Sequence, residues 1–100
     1  MHAYWLTYRL ASTGRFAERQ ERLTRAIGLK AEGMIWQQPT SFMLFRSKLN
    51  IDTLARHLKK AIDPTEDVLL LAMPNNKDAR LIGALIDHSI YSFFPHIRDV

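Results

Sequence analysis

Residues 50–73 read NIDTLARHLKKAIDPTEDVLLLAM, and this stretch decides the fold. Ile51, Leu54, Ala55, Leu58, Ala61 and Ile62 recur every three or four positions, which predicts a helix over 50–62 with one apolar stripe. Asn50 is a good N-cap, because its side-chain oxygen can accept from a free backbone N–H, and Pro64 enforces the stop. Val68 to Met73 is apolar without interruption and closes at Pro74, Asn75 and Asn76, the pattern of a strand with neither face in water. A helix with one apolar stripe handed straight to such a strand implies helices packed on a sheet.

Working outward toward the N-terminus, Ser41–Ser47 and Met34–Gln38 read as two strands of a hairpin turning at Gln38-Pro39-Thr40, since Pro39 cannot donate to a ladder. Before them, Arg15 to about Ile27 has helical spacing in Phe16, Leu23 and Ile27, i,i+4 pairs Glu18–Arg22 and Glu21–Arg25, and Gly28 as a plausible C-cap. Ala3–Leu10 is an aromatic-rich strand, with Tyr4, Leu6, Tyr8 and Leu10 on one face and Trp5, Thr7 and Arg9 on the other. Toward the C-terminus, Lys77–His88 reads as a last helix and Ile90–Phe94 as a short fifth strand.

The expected order is therefore β-α-β-β-α-β plus a tail. That order is the signature of an α+β, ferredoxin-like sandwich: a four-stranded antiparallel sheet with two helices on one face, strand order 4-1-3-2. The whole chain, 1–100, reads as one domain, with its core at 3–74 and an extension at 77–100.

Such a fold leaves one sheet face wet, and a wet face should alternate apolar and polar. Here it does not: Met43 and Phe45 stand opposite Phe42 and Leu44, Met34 and Trp36 opposite Ile35, and 68–73 is apolar on both sides. Either exposed aromatics stack on bases or a second subunit covers the face. The RNA-recognition strand would carry a basic residue and Gly before its aromatics, and SFMLFRS has no Gly. A homodimer is the reading favoured, meeting through Trp5, Trp36, Met43, Phe45, Leu69, Leu71, Ile90 and Phe93, with 90–94 as an exchanged strand.

Charge points to a partner class. The net charge is +4, but residues 1–60 hold 11 Lys/Arg against 4 Asp/Glu and residues 61–100 hold 3 against 6. A basic half suits an anionic partner, most often nucleic acid, or serves solubility alone. Arg15, Arg19 and Arg22 share one face of the first helix and, with Arg9, form a candidate phosphate-contacting stripe or a solvated surface. Lys48, Arg56, Lys59 and Lys60 form a second cluster with the same two readings. The four histidines have no metal-ligand spacing, and the absence of cysteine excludes disulfides, a thiol nucleophile and thiolate metal sites. No cofactor or metal is expected; Asp63, Glu66 and Asp67 read as turn and capping residues around Pro64. The apolar run 68–73 is too short to cross a bilayer, and the N-terminus lacks a basic region and a cleavage site, so a mature, cytoplasmic protein with no membrane partner is expected.

YWLTYRL (4–10), WQQPTSF (36–42), NIDTLARHLKKAIDP (50–64) and EDVLLLAM (66–73), in that order, resemble SinR-like proteins, relatives of the small CRISPR spacer-integration subunit and of VapD-type toxins. The resemblance spans residues 3 to about 74. It implies a ferredoxin-like protomer, a homodimer through the open sheet faces, a C-terminal strand joining the partner, and association with RNA or DNA. Some members are metal-dependent nucleases whose metal carboxylate is an Asp in a Tyr-Asp pair ending the first strand. The matching pair here is Tyr8-Arg9, and Arg cannot supply a carboxylate oxygen. The resemblance thus leads to a nucleic-acid-associated dimer without metal-dependent nuclease activity. A toxin-like ribonuclease and a small-molecule-binding dimer are the alternatives. Arg9 itself fits a phosphate or a structural partner equally well.

Overall fold

Tyr4 and Leu6 alternate with Trp5 and Thr7 along β1 (His2–Arg9), so the two faces of one strand feed two apolar layers. The computed structural model describes residues 1–38, 41–75, 77–88 and 90–100, with the side chain of Phe93 outside that set. After β1 come α1 (Phe16–Lys30), β2 (Phe42–Ser47), α2 (Ile51–Lys59), β3 (Val68–Ala72), β4 (Ala79–Gly83), a one-turn α3 (Ile90–Phe93) and β5 (Ile97–Asp99). The chain is α+β, with a five-stranded mixed sheet in the order β2-β1-β3-β4-β5. Every neighbouring pair is antiparallel except β4–β5, which is parallel.

Asn50 caps α2 as its chemistry demands, its side chain accepting from the Thr53 N–H at 2.9 Å. Leu54 and Leu58 of α2 pack with Leu23 and Ile27 of α1 over Tyr4, Leu6, Leu69, Leu71 and Ile82, and this is the main core. The opposite face carries a second cluster, Leu70, Ala72, Ala79 and Leu81, with Trp5, Val68, Leu85, Ile90, Phe94 and Ile97 packed against it. The chain's own C-terminal segment therefore covers part of the face expected to await a second subunit.

Four expectations are corrected. The strand at 34–38 is reduced to isolated bridges, Trp36–Leu44 and Ala31–Ser47. Between them the outer segment advances five residues while β2 advances three, and Gly33, at φ 76°, lies in that surplus, so no regular ladder forms. The helix at 77–88 is instead β4: its helical spacing (Ala79, Ile82, Leu85) coexists with a strand alternation, Ala79 and Leu81 against Arg80 and Ile82. The exposed ladder groups of the wholly apolar β3 decide between the two, since pairing with β4 satisfies them. The strand at 90–94 is α3, and the last strand, β5, pairs with β4. Met43, Phe45, Leu69 and Leu71, expected at a dimer interface, are all buried beneath the helices. The contact expected of the Phe93 side chain lies outside the described residues, as do Pro39 and Thr40 of the expected turn.

One backbone approach fixes the β3–β4 hairpin. Gly83 sits at φ 113°, and a Cβ there would lie 1.9 Å from the Asp67 carbonyl oxygen. Replacement Gly83→Ala is expected to cost more than about 1 kcal/mol, while Gly28→Ala, in open space within α1, should stabilise by roughly 0.5–1 kcal/mol. Urea unfolding of both variants checks this; equal midpoints for the two would contradict it.

Candidate functional site

The four arginines expected to form one phosphate stripe occupy different environments. Arg19 is only 5% exposed and Asp67 0%. Arg19 Nε donates to Asp67 Oδ2 at 2.9 Å, Nη1 to the Gly14 carbonyl at 2.8 Å, and Nη2 to the Ala11 carbonyl at 2.8 Å. Asp67 also accepts from the N–H groups of Ala11 and Asp63, each at 2.9 Å. Arg19 is thus spent inside the fold and is withdrawn as a phosphate ligand. Burying a guanidinium requires a charge partner and acceptors for its other N–H groups, and this site provides both.

Arg22 Nε donates to the Ala61 carbonyl at 3.0 Å, tying α1 to the end of α2. Arg15 is exposed, takes the left-handed conformation at φ 68° as it opens α1, and lies 4.0 Å from Glu18. The cleft beside Arg15, Arg19 and Arg22 is also lined by Glu18, Asp63 and Glu66, so acids match bases there. Asp63 and Glu66 act as turn acceptors: Asp63 Oδ1 takes the Thr65 N–H and hydroxyl, and Glu66 takes the Thr13 hydroxyl. Arg9 projects from the other face of the sheet, beside Leu70 and Leu81. Arg9 therefore shares no surface with the other three.

The second basic set fares differently. Lys48 is 3.6 Å from Glu32 and is partly neutralised. Asp52, Arg56, Lys59 and Lys60 follow one another at i, i+4, i+7 and i+8, a single side of α2 and its C-cap. That side meets the far end of the sheet, where Arg80 Nε donates to Asp52 Oδ1 at 2.6 Å. Arg80 is buried and pairs in register with Arg98 on the parallel β5. Like charges side by side across a ladder repel, and the carboxylates of Asp52 and Asp78 stand near them. The hydrogen bond from Arg80 holds the Asp52 carboxyl below the usual carboxylate range, and the charges of Arg80, Arg98 and Arg56 act in the same direction. Lys77, Asp78 and His96 complete a shallow depression with Arg80 and Arg98.

Arg80, Arg98 and Lys77 were not among the residues expected at a site. The signal was present in Ala79-Arg80-Leu81-Ile82-Gly83, where strand alternation puts one Arg among apolar neighbours on the helix face. Helical spacing obscured it.

Of the expected dimer residues, Trp5 is half-buried and stacked on Phe42 at 5.9 Å, and Ile90 packs on the second core of its own chain. Trp36 remains 46% exposed. With Met34, Leu44 and Pro74 it lines an open groove of about 580 Å³ beside β2. Among the described residues, no three His, Cys, Asp or Glu side chains converge as a metal site, and no helix is long and apolar enough to cross a membrane. Comparisons with protein families, curated proteins and solved structures find no match.

Removing one partner of the buried pair strands the other. Arg19→Met is expected to cost about 3–5 kcal/mol, a large fraction of a small domain's stability, whereas Arg22→Met should cost roughly 1 kcal/mol. Chemical denaturation of the two variants, compared at equal protein concentration, measures the difference, and similar losses would contradict the structural role of Arg19.

Proposed function

We propose that this chain is a nucleic-acid-associated binding protein that grips the sugar-phosphate backbone of RNA or DNA through the surface between α2 and β5, and that it works as a homodimer. The observation that carries this reading is the gathering of Arg56, Arg80 and Arg98 around the carboxylate of Asp52. Asp52 offsets Arg80 and Asp78 offsets one further charge, and the exposed Arg56, Arg98 and Lys77 face solvent as a net cationic group that phosphates would complete. Lys59 and Lys60 extend it along α2. Recognition of this kind is electrostatic and largely indifferent to base sequence.

A ferredoxin-like reading of the topology goes with the proposal. If residues 31–36 are taken as a degenerate second strand beside β2, the order across the sheet becomes 2-3-1-4, which is 4-1-3-2 viewed from the other edge. β4 and β5 then extend that unit beyond its fourth strand. Kinship with the SinR-like and CRISPR-integration group rests on this order of elements. Arg9 at the family's metal-carboxylate position argues for binding without metal-dependent cleavage. A cytoplasmic site of action belongs to the same reading. The dimer is proposed to form over the exposed patch of Met34, Trp36 and Leu44, the part of the open face that the chain's own tail leaves uncovered.

Fluorescence anisotropy with a labelled RNA or DNA oligonucleotide tests the proposal. Affinity is expected to fall steeply between about 50 and 200 mM salt, and Arg56→Ala/Arg98→Ala should flatten the log–log slope by roughly 2 per subunit engaged. Arg15→Ala should leave it unchanged. A salt-insensitive interaction, or a slope untouched by the double variant, would overturn the assignment. Light scattering on the same sample should give twice the 11.6 kDa chain mass, and Trp36→Asp should return it to 11.6 kDa.

A further inference from the structure

The face of the sheet opposite the helices holds a cleft of about 410 Å³ that the proposed polyanion surface does not use. Its floor is Val68, Leu70 and Leu81 of the sheet, and Leu85 and Ile90 of the C-terminal segment form a wall. Two groups of opposite charge belong to the same lining, Arg9 at the end of β1 and Asp87 before α3. Both are exposed, so neither is locked into the core. The backbone of Arg9 is in the ladder opposite Val68, and its side chain makes no hydrogen bond or ion pair with another described residue. Asp87 is already engaged within the chain, but a carboxylate has two oxygens and can accept further hydrogen bonds.

This combination selects its ligand by chemistry. A simple anion would gain Arg9 and be repelled by Asp87, and a simple cation would meet the reverse. A neutral apolar molecule would cover the floor but strip water from the Arg9 guanidinium without pairing it. A small zwitterion with an apolar body satisfies all three parts. Its carboxylate meets the planar fork of Arg9, its ammonium meets Asp87, and its side chain covers Leu70 and Leu81. The volume lies at the lower end of the range for small-molecule sites, which suits one amino acid rather than a nucleotide or a peptide. We propose that this cleft is a binding site for a free apolar α-amino acid, such as leucine or phenylalanine. The site is independent of the polyanion surface and stands whether or not that reading holds.

Isothermal titration calorimetry on the full chain, with four small probes, tests it. L-Leucine is expected to bind with a submillimolar Kd. 4-Methylpentanoate, which lacks the ammonium, 3-methylbutylamine, which lacks the carboxylate, and L-alanine, which lacks most of the apolar body, should each bind at least tenfold more weakly. Two exposed substitutions assign the ends of the ligand. Arg9→Gln should abolish the preference for leucine over the amine while keeping that over the carboxylate. Asp87→Asn should do the opposite. No leucine binding at 10 mM would overturn the proposal, as would 4-methylpentanoate or the amine binding as tightly as leucine. Unchanged preferences in both variants would also overturn it. Circular dichroism of the variants confirms that they are folded, so a lost preference reports on the cleft.

Discussion

A guanidinium and a carboxylate taken almost wholly out of water set the terms for the rest of this molecule. Asp67 stands where α2 and its following turn give way to β3, and Arg19 reaches it from the first turns of α1. Through its side chain Asp67 also holds the backbone of Ala11, just beyond β1, and of Asp63, in the turn after α2. Its carbonyl accepts from the N–H of Ala84 at 2.8 Å, directly past the glycine that lets β4 approach. One residue therefore joins β1, α1, the α2–β3 turn and the end of β4. A buried pair of this kind is weak evidence for net stability, because desolvation offsets much of its attraction. Its effect is specificity: any arrangement that separates the two charges leaves both unpaired in a dry environment.

That commitment reshapes the charge of the chain. A sequence with 14 Lys and Arg invites a reading in which they all face a ligand. Arg19 instead supports the loop after β1, Arg22 ties α1 to α2, and Arg80 is paired beneath α2. What remains as a positive surface is on the opposite side of α2, where the exposed Arg56, Arg98 and Lys77 lie around the buried Arg80–Asp52 pair. The basic N-terminal half is thus partly scaffold, and the nominally acidic C-terminal half contributes the exposed Lys77 and Arg98 to the candidate binding surface.

Much of this was legible in the order of residues, and the failures have identifiable causes. Helical spacing in α1 and α2, the Asn50 cap and the uninterrupted Val68–Met73 run all led to elements that exist. The excess of apolar sheet surface was also legible, but not that the chain's own C-terminal segment covers part of it. Residues 85, 90, 94 and 97 of the same chain fold over much of it, and that contact joins positions distant from β1 and β3 in sequence. Ala79–Gly83 fits two periods at once, and only the unpaired edge of β3 chooses between them. The strand at 34–38 had the right composition but two residues too many between its bridges. Local patterns do not count residues against a partner strand. Arg19 was indistinguishable by spacing from Arg15 and Arg22, because its burial follows from Asp67, 48 residues away.

The central claim is a division of labour among arginines, with Arg19 as scaffold and Arg56 and Arg98 as ligand contacts. Nuclear magnetic resonance of the arginine Nε–H groups during titration with a short oligonucleotide reads both roles in one measurement. Shifts are expected at Arg56 and Arg98, with the Arg19 Nε–H slow to exchange and unmoved throughout. Shifts concentrated at Arg15, Arg19 and Arg22, with Arg56 and Arg98 silent, would contradict it.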